Sequence, residues 1–140
     1  MIALEITALI IAVCALINSM RYNQLIKGQV ELQIRARISS ARNRYEDILL
    51  QSLTLRLDED QDALLKGLIR STKEEYSNAY NEACEKYLDK KVDTTRFKQS
   101  YSNEIYNIVN DPSFSDQYIK PQTKFKATVK VYDEWFDLEK

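Results

Sequence analysis

The sequence predicts an all-α protein: one N-terminal transmembrane helix continuing into a long helix, then a small antiparallel helical bundle. Three observations predict it. Glycine and proline together supply 4 of the 140 residues, about 3% where an average chain carries ~12%. That is too few to punctuate an all-β fold, which needs a turn about every 8–12 residues. Downstream of Arg21 the apolar residues recur at three- and four-residue spacing, the period of a helix face. The chain also opens on an almost unbroken apolar run. These features divide it into an anchor (1–20), a membrane-proximal long helix (21–57) and a cytoplasmic helical bundle (58–140).

Residues 2–17, IALEITALIIAVCALI, are apolar apart from Glu5 and Thr7. From Ile2 to Met20 the helix would measure about 28 Å at ~1.5 Å per residue, against a hydrocarbon core of ~30 Å. Glu5 is the one intramembrane charge, and from the first turn its carboxylate reaches the interface. A buried core helix is the competing reading of the segment. A cleaved signal peptide is not expected, because no basic side chain precedes the run and no small-x-small site follows it.

Residues 21–44 carry Arg21, Lys27, Arg35, Arg37, Arg42 and Arg44 against Glu31, a net of +5, while the other flank offers only Glu5 and the α-amine. The positive-inside rule therefore places the protein in the cell inner membrane with its N-terminus outside and its bundle cytoplasmic. Arg35, Arg37, Arg42 and Arg44 form the candidate membrane-proximal basic surface, a topology signal first and a lipid-binding surface second. Cys14 and Cys84 lie in different elements and form no disulfide framework, as a reducing compartment would have it.

Within the long helix, Ile34, Ile38, Ala41, Tyr45, Ile48, Ser52 and Leu55 follow heptad spacing, and Leu49, Leu53 and Leu57 widen the apolar face beyond Tyr45. The seam predicts self-association as a dimer or higher oligomer. The run Asp58-Glu59-Asp60-Gln61-Asp62 reads as a helix start, with carboxylates near the positive end of the dipole. Ser71 and Thr72, each three residues ahead of Glu74 or Glu75, make two overlapping capping boxes and predict a new helix there. That helix carries Tyr76, Ala79, Tyr80, Ala83, Cys84, Tyr87 and Leu88 on one face. Asp93 or Thr94 caps the next, with Phe97, Tyr101, Ile105 and Ile108 inward, and Asn110-Asp111-Pro112 stops it. A turn through Phe114, Tyr118 and Ile119 leads to Lys120-Pro121. In the last segment, TKFKATVKVYDEWFDLEK, strand-like alternation competes with helical spacing; a lone strand has no partner in the chain, so a helix is expected.

No reactive site emerges. Histidine is absent, which removes Ser-His and Cys-His nucleophile pairs and His-ligated metals. Asp58, Asp60 and Asp62 match the start of a calcium-binding loop, but Ala63 stands where the turn glycine belongs and Ile69 where the bidentate Glu belongs. Two glycines cannot build a phosphate loop. Twenty Lys+Arg against twenty-one Asp+Glu leaves a net charge of -1, without the surplus a nucleic-acid binder uses. The nine tyrosines sit mostly on apolar helical faces and supply core volume. No cofactor, metal or enzymatic activity is expected.

The run NAYNEACEKYLDKKVDTTRFKQSYSNEIYNIV, with KFKATVKVYDEWF after it, resembles small uncharacterised bacterial membrane-anchored helical proteins. The resemblance covers residues 72–136 and lies in the spacing of apolar and aromatic positions. It implies one N-terminal membrane helix and a helical cytoplasmic part, and carries no functional residue over. The functional expectation is a single-pass, membrane-anchored, non-enzymatic scaffold that contacts membrane lipid, self-associates and recruits an unidentified protein, with Trp135 and Phe136 as candidate partner surface. The alternatives are a membrane-active lysis or toxin component of phage or defence type, acting through Glu5 and the apolar helix, and an accessory subunit of a larger membrane complex.

Overall fold

A computed structural model describes residues 2–54 and 59–136. Among these the protein is all-helical: α1 (Ile2–Thr54), α2 (Glu59–Leu88), α3 (Thr94–Asn110), a 3-10 turn (Pro112–Phe114) and α4 (Lys126–Phe136). The expected fold class is the observed one. Leu55, Leu57 and Asp58 lie outside the described residues, as do Met1 and residues 137–140.

The expected boundary between anchor and membrane-proximal helix leaves no mark on the backbone, since α1 runs through it unbroken for 53 residues. Its heptad seam is used within the chain. Ile34, Ile38 and Ala41 are buried and Tyr45 is half-buried, because α2 folds back antiparallel and covers them. That face is therefore covered within the chain.

α2 differs from expectation at its start. It is a single helix of 30 residues, so Ser71 and Thr72 lie in its interior rather than capping a new one. Thr72 is buried, and its hydroxyl donates back to the carbonyls of Leu68 (2.9 Å) and Ile69 (3.2 Å). A threonine bonded one turn back satisfies its side chain without ending the helix. The carboxylates of Glu74 and Glu75, available for capping boxes, go instead to Lys124 and to Arg37 and Arg44.

α3 begins as expected. Asp93 is extended (φ -72, ψ 110), and its carboxylate accepts from the Arg96 N–H at 2.9 Å. Phe97, Ile105 and Ile108 are buried and Tyr101 is half-buried, before Pro112 enforces the stop. The ambiguous last segment is α4. Ala127, Thr128, Val131 and Trp135 bury one helical face, and Val129 widens it, which produces the strand-like alternation in the sequence. Asn81 of α2 accepts from the Ala127 and Thr128 N–H groups (3.0 and 3.3 Å), satisfying donors in the first turn of α4 that no helical carbonyl reaches.

One core joins the four helices: Ala79, Tyr80, Ala83 and Cys84 of α2 meet Phe97, Ile105, Phe125 and Val131 with essentially no exposure. Ion pairs fix the levels. Arg37 and Arg44 of α1 meet Glu75, and Arg37 also meets Glu82, while Glu31 meets Arg96. The bundle therefore begins near Lys27 and is complete by Tyr45, where Phe114 packs against Tyr45 and Tyr76 with centroids 5.5 and 5.8 Å apart. Beyond that level α1 and α2 continue as a two-helix hairpin tip.

Candidate functional site

The dominant surface feature is the first half of α1. Residues 5–26 are exposed throughout, about 33 Å of helix at ~1.5 Å per residue. The exposed side chains include Leu9 (66%), Ile11 (64%), Leu16 (61%) and Met20 (60%). Among the described residues this is one helix long and apolar enough to cross a membrane, and none of its apolar window is buried in the chain. A core helix of a self-contained globule would be covered; this one is bare. Soluble proteins rarely expose contiguous apolar surface of this size unless a membrane or partner covers it. Glu5 stands exposed near its start.

The arginines expected to form a membrane-proximal surface are largely spent on the bundle. Arg37 pairs with Glu75 at 3.1 Å and Glu82 at 3.6 Å, and Arg44 pairs with Glu75 at 3.1 Å. Arg42 donates to the Tyr76 and Tyr80 hydroxyls and to Glu104, each at 3.0 Å. The bond to Tyr76 leads the causes that push its guanidinium above its ordinary range, and Tyr80, itself donating to Glu104, is pushed up mainly by burial. Arg35 lies beside Tyr101. Arg35 is also fifteen residues past Met20, about 22 Å along the helix and well beyond a Debye length of ~8 Å.

A different set of charges lies nearest the exposed apolar stretch. Glu31 of α1 accepts from the Asp93 N–H at 3.1 Å and pairs with Arg96 at 2.7 Å, so the loop between α2 and α3 is fastened beside the free part of α1. Lys27, Lys90, Lys91 and Arg96 collect at this end of the bundle, with Arg21 one step nearer the apolar run. Sequence reading missed this cluster because Lys27 is separated from Lys90, Lys91 and Arg96 by more than sixty positions. A basic Lys90-Lys91 pair directly after a helix was the signal that could have found it.

Trp135 is placed inside the bundle rather than on a partner surface. It is 9% exposed, donates from Nε1 to the Tyr87 hydroxyl at 3.1 Å and packs edge-on to the Tyr87 ring at 5.2 Å. Phe136 is half-buried against Tyr106 and Tyr132. Four exposed leucines share the level of the hairpin tip instead, Leu50 (62%), Leu53 (82%), Leu64 (72%) and Leu68 (49%), while Leu32, Tyr106 and Ile119 are exposed singly elsewhere on the bundle. Cys84 is fully buried, and burial pushes its thiol up to about 12, which leaves it a poor nucleophile.

Compared with known proteins, the chain matches no family model, no curated protein and no solved structure. Fold and surface together define its class: a small helical bundle carried on one long helix whose apolar end projects free.

Proposed function

We propose that the protein is a single-pass, membrane-anchored, non-enzymatic scaffold. In this reading residues 5–20 of α1 lie in the inner membrane with the N-terminus outside, and the bundle recruits a protein partner on the cytoplasmic side. The observation that supports it is the bare apolar helix, which buries nothing within the chain and gains free energy at roughly 25 cal/mol per Å² once covered by lipid. The excess of Lys and Arg just after the span supports the orientation. Self-association, in this reading, uses the free stretch of α1, because Ile34, Ile38 and Ala41 are already covered by α2. Recruitment falls to the hairpin tip. Thr54 stands thirty-four residues past Met20, about 51 Å along the helix, so the tip presents its leucines well clear of the lipid surface.

Alkaline carbonate extraction tests the anchor. The full chain should stay in the membrane pellet, and a chain starting at Asn23 should be soluble and helical. A full chain recovered in the supernatant without detergent would return residues 5–20 to the role of a helix covered by another protein. Protease applied to intact spheroplasts should spare the bundle; digestion from outside would favour the lysis reading.

A further inference from the structure

We propose that the membrane-facing end of the bundle docks onto an anionic lipid surface through Lys27, Lys90 and Lys91, which the Glu31–Arg96 pair holds together. The inference rests on the reading that the apolar end of α1, Ile2 to Met20, spans the bilayer, and adds a second, electrostatic contact that no continuous segment of sequence contains. The fold assembles it. Glu31 receives the Asp93 N–H at 3.1 Å and the Arg96 guanidinium at 2.7 Å, which pins the 89–93 loop and the first turn of α3 beside Lys27. Lys27 is near enough to Asp93 to help hold that carboxyl below its ordinary range.

Distance decides what these charges face. Lys27 lies seven residues past Met20, about 10 Å along the helix. The headgroup layer takes up roughly 5–7 Å of that. The remaining gap is smaller than both a lysine side chain and the Debye length of ~8 Å at physiological ionic strength. The carboxylates at this end are engaged locally: Glu31 with Arg96, Asp93 with the Arg96 N–H, Asp89 with Lys91 at 3.3 Å, Glu85 with the Asn81 amide and Glu134 with the Tyr87 hydroxyl, each of these last two at 2.9 Å. Lys27 and Lys90 have no ion pair among the described residues.

Lys90 supplies an independent observation. Its N–H bonds to the Tyr87 carbonyl (3.0 Å) and the Lys91 N–H to the Lys86 carbonyl (2.9 Å), the two bonds of a Schellman cap with Lys90 at its left-handed position, φ 57. Glycine is the residue that this position favours. Here an exposed lysine holds it, at the apex of the loop nearest the anchor. The opposite end of the molecule has the opposite sign. Glu46, Asp47, Asp60 and Asp62 outnumber Lys66 and Arg70 over described residues 46–54 and 60–70. A chain of net charge -1 is thus polarised along its axis, with the positive end toward the lipid.

The test uses the full chain in vesicles of phosphatidylcholine alone, or with about one third phosphatidylglycerol. Amine-reactive labelling is read by mass spectrometry at Lys27, Lys90, Lys91 and, as a distant reference, Lys66. Labelling of the first three should fall severalfold in the anionic vesicles and recover in high salt, with Lys66 unchanged. Equal rates in both lipids, or a drop at Lys66 of the same size, would overturn the docking while leaving the anchor intact. A chain that fails to enter either vesicle overturns both. Residues 5–22 are exposed throughout, so a chain starting at Asn23 keeps the buried core and isolates the second contact. In vesicle flotation, each of Lys27→Gln, Lys90→Gln and Lys91→Gln should weaken its partition to the anionic vesicles about fivefold, the factor corresponding to ~1 kcal/mol per basic residue. Polyphosphate binding with equal loss on the same substitutions, and no flotation with the anionic vesicles, would make this a general polyanion site and sink the lipid assignment.

Discussion

Arg42 of α1 and Glu104 of α3 meet at 3.0 Å with the hydroxyls of Tyr76 and Tyr80 closing the same cluster from α2. This is how α1 and α3 are joined at mid-height, where direct packing between them is sparse: α1 runs mainly against α2, and α3 against α4 and α2. The side chains of Arg42 and Glu104 are each 38% exposed, so the pair is partly screened, but Tyr80 is fully buried and depends on it for its hydroxyl. Loss of the guanidinium would remove three hydrogen bonds at once and leave the Glu104 carboxylate with the Tyr80 hydroxyl but without its cation.

Arg42→Met should therefore lower the stability of a chain starting at Asn23 by about 1.5–3 kcal/mol, the range for hydrogen bonds to a charged group. Arg44→Met, removing a 64%-exposed partner of Glu75, should stay within about 0.5 kcal/mol. Urea unfolding followed by circular dichroism measures both. Equal effects at the two positions would mean that the cluster does not join the helices.

Cys84 gives a readout of whether the core opens as a unit. In a chain starting at Asn23 it is the sole cysteine. Its thiol is pushed up to about 12 from an ordinary 9.0, chiefly by burial, so near pH 8 its thiolate population is about a thousandfold below that of a free cysteine. Alkylation by iodoacetamide should be negligible in the native chain and should rise along the urea unfolding curve. Rapid alkylation without denaturant would show that α2 and α4 separate locally.

The parts of this fold legible in the sequence are those set by local chemistry or by a single helix face. Ile34, Ile38 and Ala41 announce a buried stripe, Asp93 announces a helix start three residues before Arg96, and Pro112 announces a stop. What occupies the stripe was not legible, because heptad spacing is the same whether the covering helix belongs to another copy or, as here, to α2. Ser71 and Thr72 misled for a related reason. Their capping signal is local, and it loses to the continuous packing of α2 along α1, which holds Leu65, Ile69 and Thr72 in one helical register. The partners of Arg37, Arg42 and Arg44 lie thirty-one to sixty-two positions away, and no pattern short of the fold pairs them. The sequence alone also placed Trp135 on a partner surface, since an aromatic residue near the end of an amphipathic helix carries no sign of what covers it. The bond to Tyr87 uses its one donor internally.

Acid should loosen the α2–α3 junction first. Asp93 has its carboxyl held below its ordinary 3.8, chiefly by the hydrogen bond from the Arg96 N–H. A carboxyl with a depressed folded value stabilises the fold above its unfolded value and loses that contribution as pH falls through the folded one. The window is therefore below about pH 3.8. Asp93→Asn keeps a competent helix cap but removes the titration. It should flatten this acid limb in pH-dependent thermal unfolding while changing little at neutral pH. An acid limb of unchanged steepness would assign it instead to Asp116, whose carboxyl is held down by its bond to Lys73.

Lys90 sets stability and lipid contact against each other. At φ 57 a non-glycine residue carries a steric penalty of about 1 kcal/mol, so Lys90→Gly should raise the stability of the chain starting at Asn23 by about 0.5–1 kcal/mol. A change that only improved the fold would leave membrane behaviour alone or strengthen it. If the lysine is there for its charge, the same substitution makes the bundle more stable in urea and weaker on anionic vesicles. Lys90→Asn is the control: asparagine tolerates the left-handed position but brings no charge, so it should follow glycine in flotation and fall between the two in stability. Loss of stability in Lys90→Gly would mean that the lysine stem packs on the loop and earns its place structurally. Gain of stability with unchanged flotation would mean that its charge does not reach the lipid.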